Sequence, residues 1–202
     1  MENYNVAQLF DIAFGIKSIG TYSVENINTA GLQVAGSLDY ATQLSHLGTP
    51  MIVPILFKGS AAYKIYNDFG DIVTDSYEDF ALPAATLVNF RRAKIISKTK
   101  ASAVASSVKE IFAFDDWKID IRGFCLADTA HKTAQSAREQ QRKIYEFDKV
   151  VDTIRVVSEL FDDLEIDNIV IEEIQFHQLK GKPGVIPFSI RCSSDEPESS
   201  FI

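Results

Sequence analysis

Apolar and polar positions alternate with a period of two in several stretches between residues 51 and 126, and this pattern predicts strands. Leu87–Thr99 reads as one long strand, with Val88, Phe90 and Arg92 on one face and Leu87 and Asn89 on the other. Lys109–Leu126, KEIFAFDDWKIDIRGFCL, predicts a two-stranded hairpin. In that reading Ile111 and Ala113 face one way, Phe112 and Phe114 the other, and Asp115-Asp116 supply the turn. Trp117, Ile119, Ile121, Gly123 and Cys125 then share a face. Met51–Phe57 reads as a strand in which Pro54 suggests an edge or a bulge. Tyr63–Tyr66 and Ile72–Val73 flank a turn at Asn67-Asp68-Phe69-Gly70. Ala101–Ser107 is small and polar and reads as a loop.

The period changes to three and four from Gln135 to Leu164, where Ile144, Phe147, Val151, Ile154, Val157, Phe161 and Leu164 predict one long helix breaking near Asp162-Asp163. Arg138, Glu139, Arg142, Lys143 and Glu146 form the wet side of its first half. Ile169–Phe176 and Ile186–Cys192 predict a second hairpin around the turn-forming stretch Lys180–Gly184. At the other end, Val6, Leu9, Phe10 and Ala13 predict a short helix over about 5–15. Between Gly15 and Gly48 periodicity is weak and glycines recur, which reads as an extended arm.

The order predicts an α+β fold: a mostly antiparallel sheet or flattened barrel with one long helix packed across it, plus an extended N-terminal arm. The expected organisation is an arm with a short helix over 1–50, an α+β domain over 51–198 and a tail over 199–202.

Charge narrows the range of partners. The net charge of −8 disfavours general nucleic-acid binding and adsorption to anionic membranes. The charge is also unevenly placed. Arg91, Arg92, Lys94, Lys98 and Lys100 form a run without a carboxylate, whereas Asp162, Asp163, Glu165, Asp167, Glu172 and Glu173 form an acidic block, followed by Asp195, Glu196 and Glu198. Two solvated surfaces would explain this. Head-to-tail pairing between subunits would explain it too, and heterologous contacts of that kind build rings and tubes. Arg91, Arg92, Lys94, Lys98, Asp162, Asp163 and Glu165 are therefore the candidate interface residues. Cys125 and Cys192 share strand parity with apolar neighbours and are expected to be buried, reduced thiols. The N-terminus has no basic, apolar leader pattern, and no apolar run approaches the roughly 20 residues of a spanning helix, so neither a secretory leader nor membrane insertion is expected.

Catalytic signals are weak. Asp115, Asp116 and Asp120 could in principle serve acid–base chemistry or hold a cation, but the first two stand where a turn is expected and Asp120 alternates to solvent. His46, His131 and His177 are far apart and read as surface or edge residues, with no zinc-binding spacing. Gly181-Lys182 lacks the upstream glycines of a phosphate loop, and no serine stands in a nucleophile elbow. Trp117, Phe112 and Phe114 could form an aromatic binding surface, although a core role is expected. No catalytic residue, metal site or cofactor is assigned, and the chain is not expected to be an enzyme.

Several stretches in order resemble a family of small phage and prophage tail proteins, a domain of unknown function encoded in tail or baseplate gene clusters. They are Pro54–Phe57, Phe80–Leu87, Asp116–Gly123 with its Ile-Arg-Gly, the Ile169-Val170-Ile171 strand, and Phe188–Pro197 with its F-x-I-x-C-x-S-D-E-P pattern. The resemblance covers about 50–198 and transfers no catalytic motif. It implies a structural role in a virion and leaves the place in the tail open. With the missing active site and the opposed charge blocks, the expectation is a tail or baseplate component, assembled in the host cytoplasm as a symmetric homo-oligomeric ring with other tail proteins. The alternative expectation is a non-catalytic adaptor recognising a peptide or cell-wall glycan through an aromatic hairpin.

Overall fold

The computed structural model describes residues 6–15, 54–83, 85–100, 107–128, 131–179 and 184–195. Its elements are α1 (Val6–Phe14), β1 (Leu56–Phe57), β2 (Ser60–Tyr66), β3 (Ile72–Tyr77), β4 (Phe80–Ala81), β5 (Thr86–Lys100), β6 (Ser107–Cys125), α2 (Ala137–Asp148), β7 (Ile154–Val157), α3 (Glu159–Asp162), β8 (Asn168–Phe176) and β9 (Ile186–Ser194). Seven strands form one mostly antiparallel, curled sheet in the order β4-β1-β7-β8-β9-β6-β5, and β2–β3 is a separate hairpin. The antiparallel pairing of β8 with β9 is the expected second hairpin.

The period of two explains how the sheet is buried. Ile119, Ile121 and Cys125 of β6 and Phe188, Ile190 and Cys192 of β9 project into one core, which α2 covers with Ile144 and Phe147. Phe57, Phe80, Tyr63 and Tyr77 pack rings around Phe147. Phe124 has the opposite parity. It meets α1 on the other face, 4.8 Å from Phe10 between ring centroids, in a smaller cluster with Leu9, Leu126 and Val185. The short N-terminal helix thus forms where its spacing predicts it, whereas the arm expected over Gly15–Gly48 lies, beyond Gly15, outside the described residues.

Two expectations are corrected. The long helix over Gln135–Leu164 does not form. Helix α2 stops at Asp148, and the remaining apolar positions are divided between β7 and α3. The β-branched run Val150–Val157 favours strand, and β7 buries alternate residues, Ile154 and Val156, where a helix would have buried every third or fourth. The second correction concerns Asp115-Asp116. They are no turn but lie inside β6, a single strand of 19 residues. They stand opposite Ala93 where the β5–β6 register shifts between Arg92↔Trp117 and Lys94↔Phe114, which makes them a β-bulge. The partner of Phe112 and Phe114 is accordingly β5.

Pro54 precedes β1 and interrupts nothing, and β1 lies inside the sheet between β4 and β7. His131 is not a plain surface residue. Its Nε2 lies 2.9 Å from the Ala81 carbonyl while Nδ1 accepts from the Ala134 N–H at 3.0 Å, which fixes the approach to α2. His177 has its ring 6.2 Å from that of Phe14, and His46 lies outside the described residues.

Candidate functional site

Strand β6 outruns the sheet. It pairs with β9 from Lys118↔Ser193 to Cys125↔Ile186, but from Ser107 to Trp117 its only strand partner among the described residues is β5. The result is a two-stranded ribbon leaving the body of the sheet. Such ribbons are marginally stable in water unless a face is covered. A second register shift, between Ile95↔Ala113 and Ile96↔Ile111, leaves Phe112 unopposed and adds twist.

The composition of the ribbon is unusual for an exposed element. Phe112 is 67% exposed, Ile111 61%, Phe114 58% and Ile95 51%. On one face, β5 presents Arg92, Lys94, Ile96 and Lys98 and β6 answers with Trp117, Phe114, Ile111 and Lys109. The Arg92 guanidinium lies 5.0 Å from the centre of the Phe114 ring and 5.4 Å from that of Trp117, and Lys94 lies 5.4 Å from that of Phe114. Arg92 Nε also donates to the Asp115 carbonyl at 3.0 Å, holding the bulge. The core role expected for Phe112 and Phe114 is therefore corrected: both are surface residues.

Trp117 marks the base. It packs against the core beside Phe90, and its backbone N–H donates to Ser194 Oγ at 3.0 Å. Its indole Nε1 is buried without a hydrogen-bond partner.

The opposite face of the sheet at this level is a charged network. Lys118 pairs with Glu172 at 2.9 Å, and Arg191 with Glu173 at 2.6 Å and Asp120 at 3.8 Å. The hydrogen bond from Lys118 holds the Glu172 carboxyl below its ordinary value, and the same bond raises Lys118. Asp120 is thus committed to an ion pair, while Asp115 and Asp116 occupy the bulge. Among the described residues, no group of three or more His, Cys, Asp and Glu could hold a metal ion. Both cysteines are free and buried, and burial pushes Cys125 up to about 12 and raises Cys192 as well. Neither thiol is therefore available as a nucleophile. Among the described residues, no helix is long and apolar enough to cross a membrane.

The predicted interface residues fall in two groups, one on β5 and one at the end of α3. Arg91, Arg92, Lys94 and Lys98 stand on β5, the last strand of the sheet order. Asp162 ends α3, and Asp163 and Glu165 follow it in the turn to β8. Phe161, next to Asp162, touches Phe90 at the base of the ribbon. Yet no ion pair joins the two groups among the described residues. Glu165 has a φ of 58°, in the left-handed region that non-glycine residues seldom occupy. The charge run was visible in the sequence. The exposed aromatic and aliphatic residues interleaved with it were not, because alternation alone does not reveal that β6 extends past β9.

No curated protein matches the sequence. Among solved structures, the Dit protein (gp 19.1) of phage SPP1, described as a paradigm of the hub adsorption apparatus in Gram-positive-infecting phages, is similar at a TM-score of 0.37 and 10% identity. That alignment covers 71% of this chain and 50% of the Dit chain, so this chain spans half the length of that protein. A family model described as a domain of unknown function (DUF6046) matches residues 81–202, from β4 onward, and leaves the Pro54–Phe57 stretch outside. With more than half of its length matched, the chain belongs to the DUF6046 family.

Proposed function

We propose that this chain is a non-enzymatic structural component of a phage or phage-like tail or baseplate, which assembles with its own copies into a symmetric ring alongside other tail proteins. The β5–β6 ribbon carries the reading. It is an exposed element of apolar and cationic side chains, on an acidic protein, and among the described residues no strand pairs with the outer edge of β5. Open edges and exposed apolar patches are sites of protein contact. The tail assignment comes from the Ile-Arg-Gly and F-x-I-x-C-x-S-D-E-P resemblance, and the former motif lies in β6 where it rejoins the sheet. Sheet edges, the charge blocks and the segment preceding residue 51 are the proposed subunit contacts. In this reading the protein resides in the virion tail after assembly in the host cytoplasm.

The test is electron microscopy of particles released from the source strain, labelled with gold-conjugated antibody against the purified chain. Label on tails is the expected result; particles whose tails bind no antibody after mild disruption would sink the proposal.

An adaptor role is the second reading, and the exposure of Phe112 and Phe114 favours it. Trp117 does not, since it packs against the core. Binding of a glycan or peptide that quenches Trp117 without any self-association would move this reading to first place.

A further inference from the structure

We infer that the ribbon face bearing Lys94, Ile96, Lys98, Ile111 and Phe114 is occupied by a second copy of this chain, at the acidic corner that follows α3. This deepens the ring-forming part of the proposed function and rests on it. Three observations carry it.

The ribbon needs an occupant. Among the described residues it is two strands wide from Ser107 to Trp117, and it exposes large apolar side chains that a monomer gains nothing by presenting. Its charge also selects the occupant. Residues 91–110 hold Arg91, Arg92, Lys94, Lys98, Lys100 and Lys109 against the single carboxylate Glu110, in a chain whose net charge is −8. Another copy is therefore a strongly complementary partner. Finally, the same chain offers a matching surface. Asp162, Asp163, Glu165 and Asp167 are exposed and carry no ion pair among the described residues. Beside them, Leu164 is partly buried and Val157 is 38% exposed, which supplies apolar area at the same corner.

The contact is heterologous, ribbon to corner, so each copy uses both surfaces and the assembly closes as a ring or grows as a filament. Lysines on an edge strand can instead serve only to prevent pairing. That reading predicts a monomer, so the two are separable.

The experiment is sedimentation velocity on the full chain at low and moderate salt, with Lys94→Glu/Lys98→Glu, with Asp162→Lys/Asp163→Lys, and with an equimolar mixture of the two variants. All four positions are exposed, and circular dichroism verifies that each variant is folded. The inference expects a salt-weakened oligomer for the wild type, at least a roughly 100-fold weaker association for each variant alone, and recovery in the mixture, where reversed ribbon meets reversed corner. A wild type that stays monomeric, an oligomer indifferent to both reversals, or a mixture without recovery overturns it. Gold label on tails together with a monomeric chain would reject this inference and leave the tail reading standing; unlabelled tails, with an oligomer that both reversals weaken and the mixture restores, would do the reverse.

Discussion

Phe161 meets Phe90 edge to face, with ring centroids 5.0 Å apart and planes at 78°. One ring belongs to a four-residue helix in the C-terminal half, and the other to the edge strand where the ribbon leaves the sheet. This contact ties the acidic corner to the base of the ribbon and fixes the spacing between the two charged surfaces. Phe161 is fully buried, so Phe161→Ala removes core volume as well as the aromatic pair. The expected loss is about 3–5 kcal/mol of folding stability, read from urea denaturation. Emission from Trp117, the sole tryptophan, should shift to the red as its surroundings loosen.

Gly123 shows why the Ile-Arg-Gly segment of β6 requires a glycine. A Cβ there would stand 2.7 Å from the Ala85 carbonyl oxygen, 2.7 Å from Thr86 Oγ1 and 2.8 Å from Phe188 Cζ. The first of these is backbone and cannot rotate away. Gly123→Ala should therefore destabilise by at least about 1–3 kcal/mol, as overpacking does. A midpoint of thermal unfolding equal to that of the wild type would show that the β5–β6 junction yields more readily than its geometry suggests.

The sheet was largely legible because its burial follows parity. Ile119, Ile121 and Cys125 declare one face, as do Phe188, Ile190 and Cys192. The three-four spacing of Ile144, Phe147, Val151, Ile154 and Val157 suggests a helix over Gln135–Leu164 only by coincidence, and the β-branched content after Val150 is the signal against it. Asp115-Asp116 carried turn chemistry that suits a bulge equally well, and only the pairing partner separates the two. The charged half of the candidate site was readable residue by residue. Its apolar half depended on where β9 ends, a property of tertiary pairing.

Helix α2 begins with a capping box. The Glu139 N–H donates to Ser136 Oγ, and the Glu139 carboxylate accepts from the Ser136 N–H at 3.0 Å. That backbone hydrogen bond, with others from Ser136 and Gln135, holds the Glu139 carboxyl below its ordinary value. A depressed carboxylate contributes stability that is fully present above its unfolded value and is lost as the pH falls through its folded one. Ser136→Ala should cost about 1 kcal/mol at neutral pH. The pH dependence is read on the carboxylate itself: the advantage of wild type over Glu139→Gln should shrink on acidification below the ordinary glutamate range, as measured by urea denaturation at a series of pH values.

Arg92 joins the ribbon to the body of the sheet by stacking on Phe114 and Trp117 and by holding the Asp115 carbonyl. Its removal should act locally. Arg92→Ala is expected to lower global stability by no more than about 1 kcal/mol, the scale of an exposed cation–π pair. Amide exchange over Ser107–Asp116 should quicken several-fold, while Ile119–Cys125, paired on both sides, stays protected. Equal acceleration in both segments would mean that β6 opens as one unit and that the ribbon has no independent motion.

Glu165 separates folding from assembly. Its φ of 58° costs an L-residue about 1–2 kcal/mol, whereas glycine adopts that conformation without a steric penalty. Glycine adds conformational freedom to the unfolded chain, offsetting roughly 0.4–1 kcal/mol of the relief. Glu165→Gly should accordingly leave stability unchanged or raise it by up to about 1.5 kcal/mol. The same substitution removes one of the carboxylates assigned to the ribbon of a neighbouring copy and should weaken self-association at low salt, measured by sedimentation. A variant that is both more stable and less associated would show that the carboxylate at this strained position acts in contact between copies. A clear loss of stability would show instead that the Glu165 side chain supports the turn, and the left-handed backbone would then need a folding explanation.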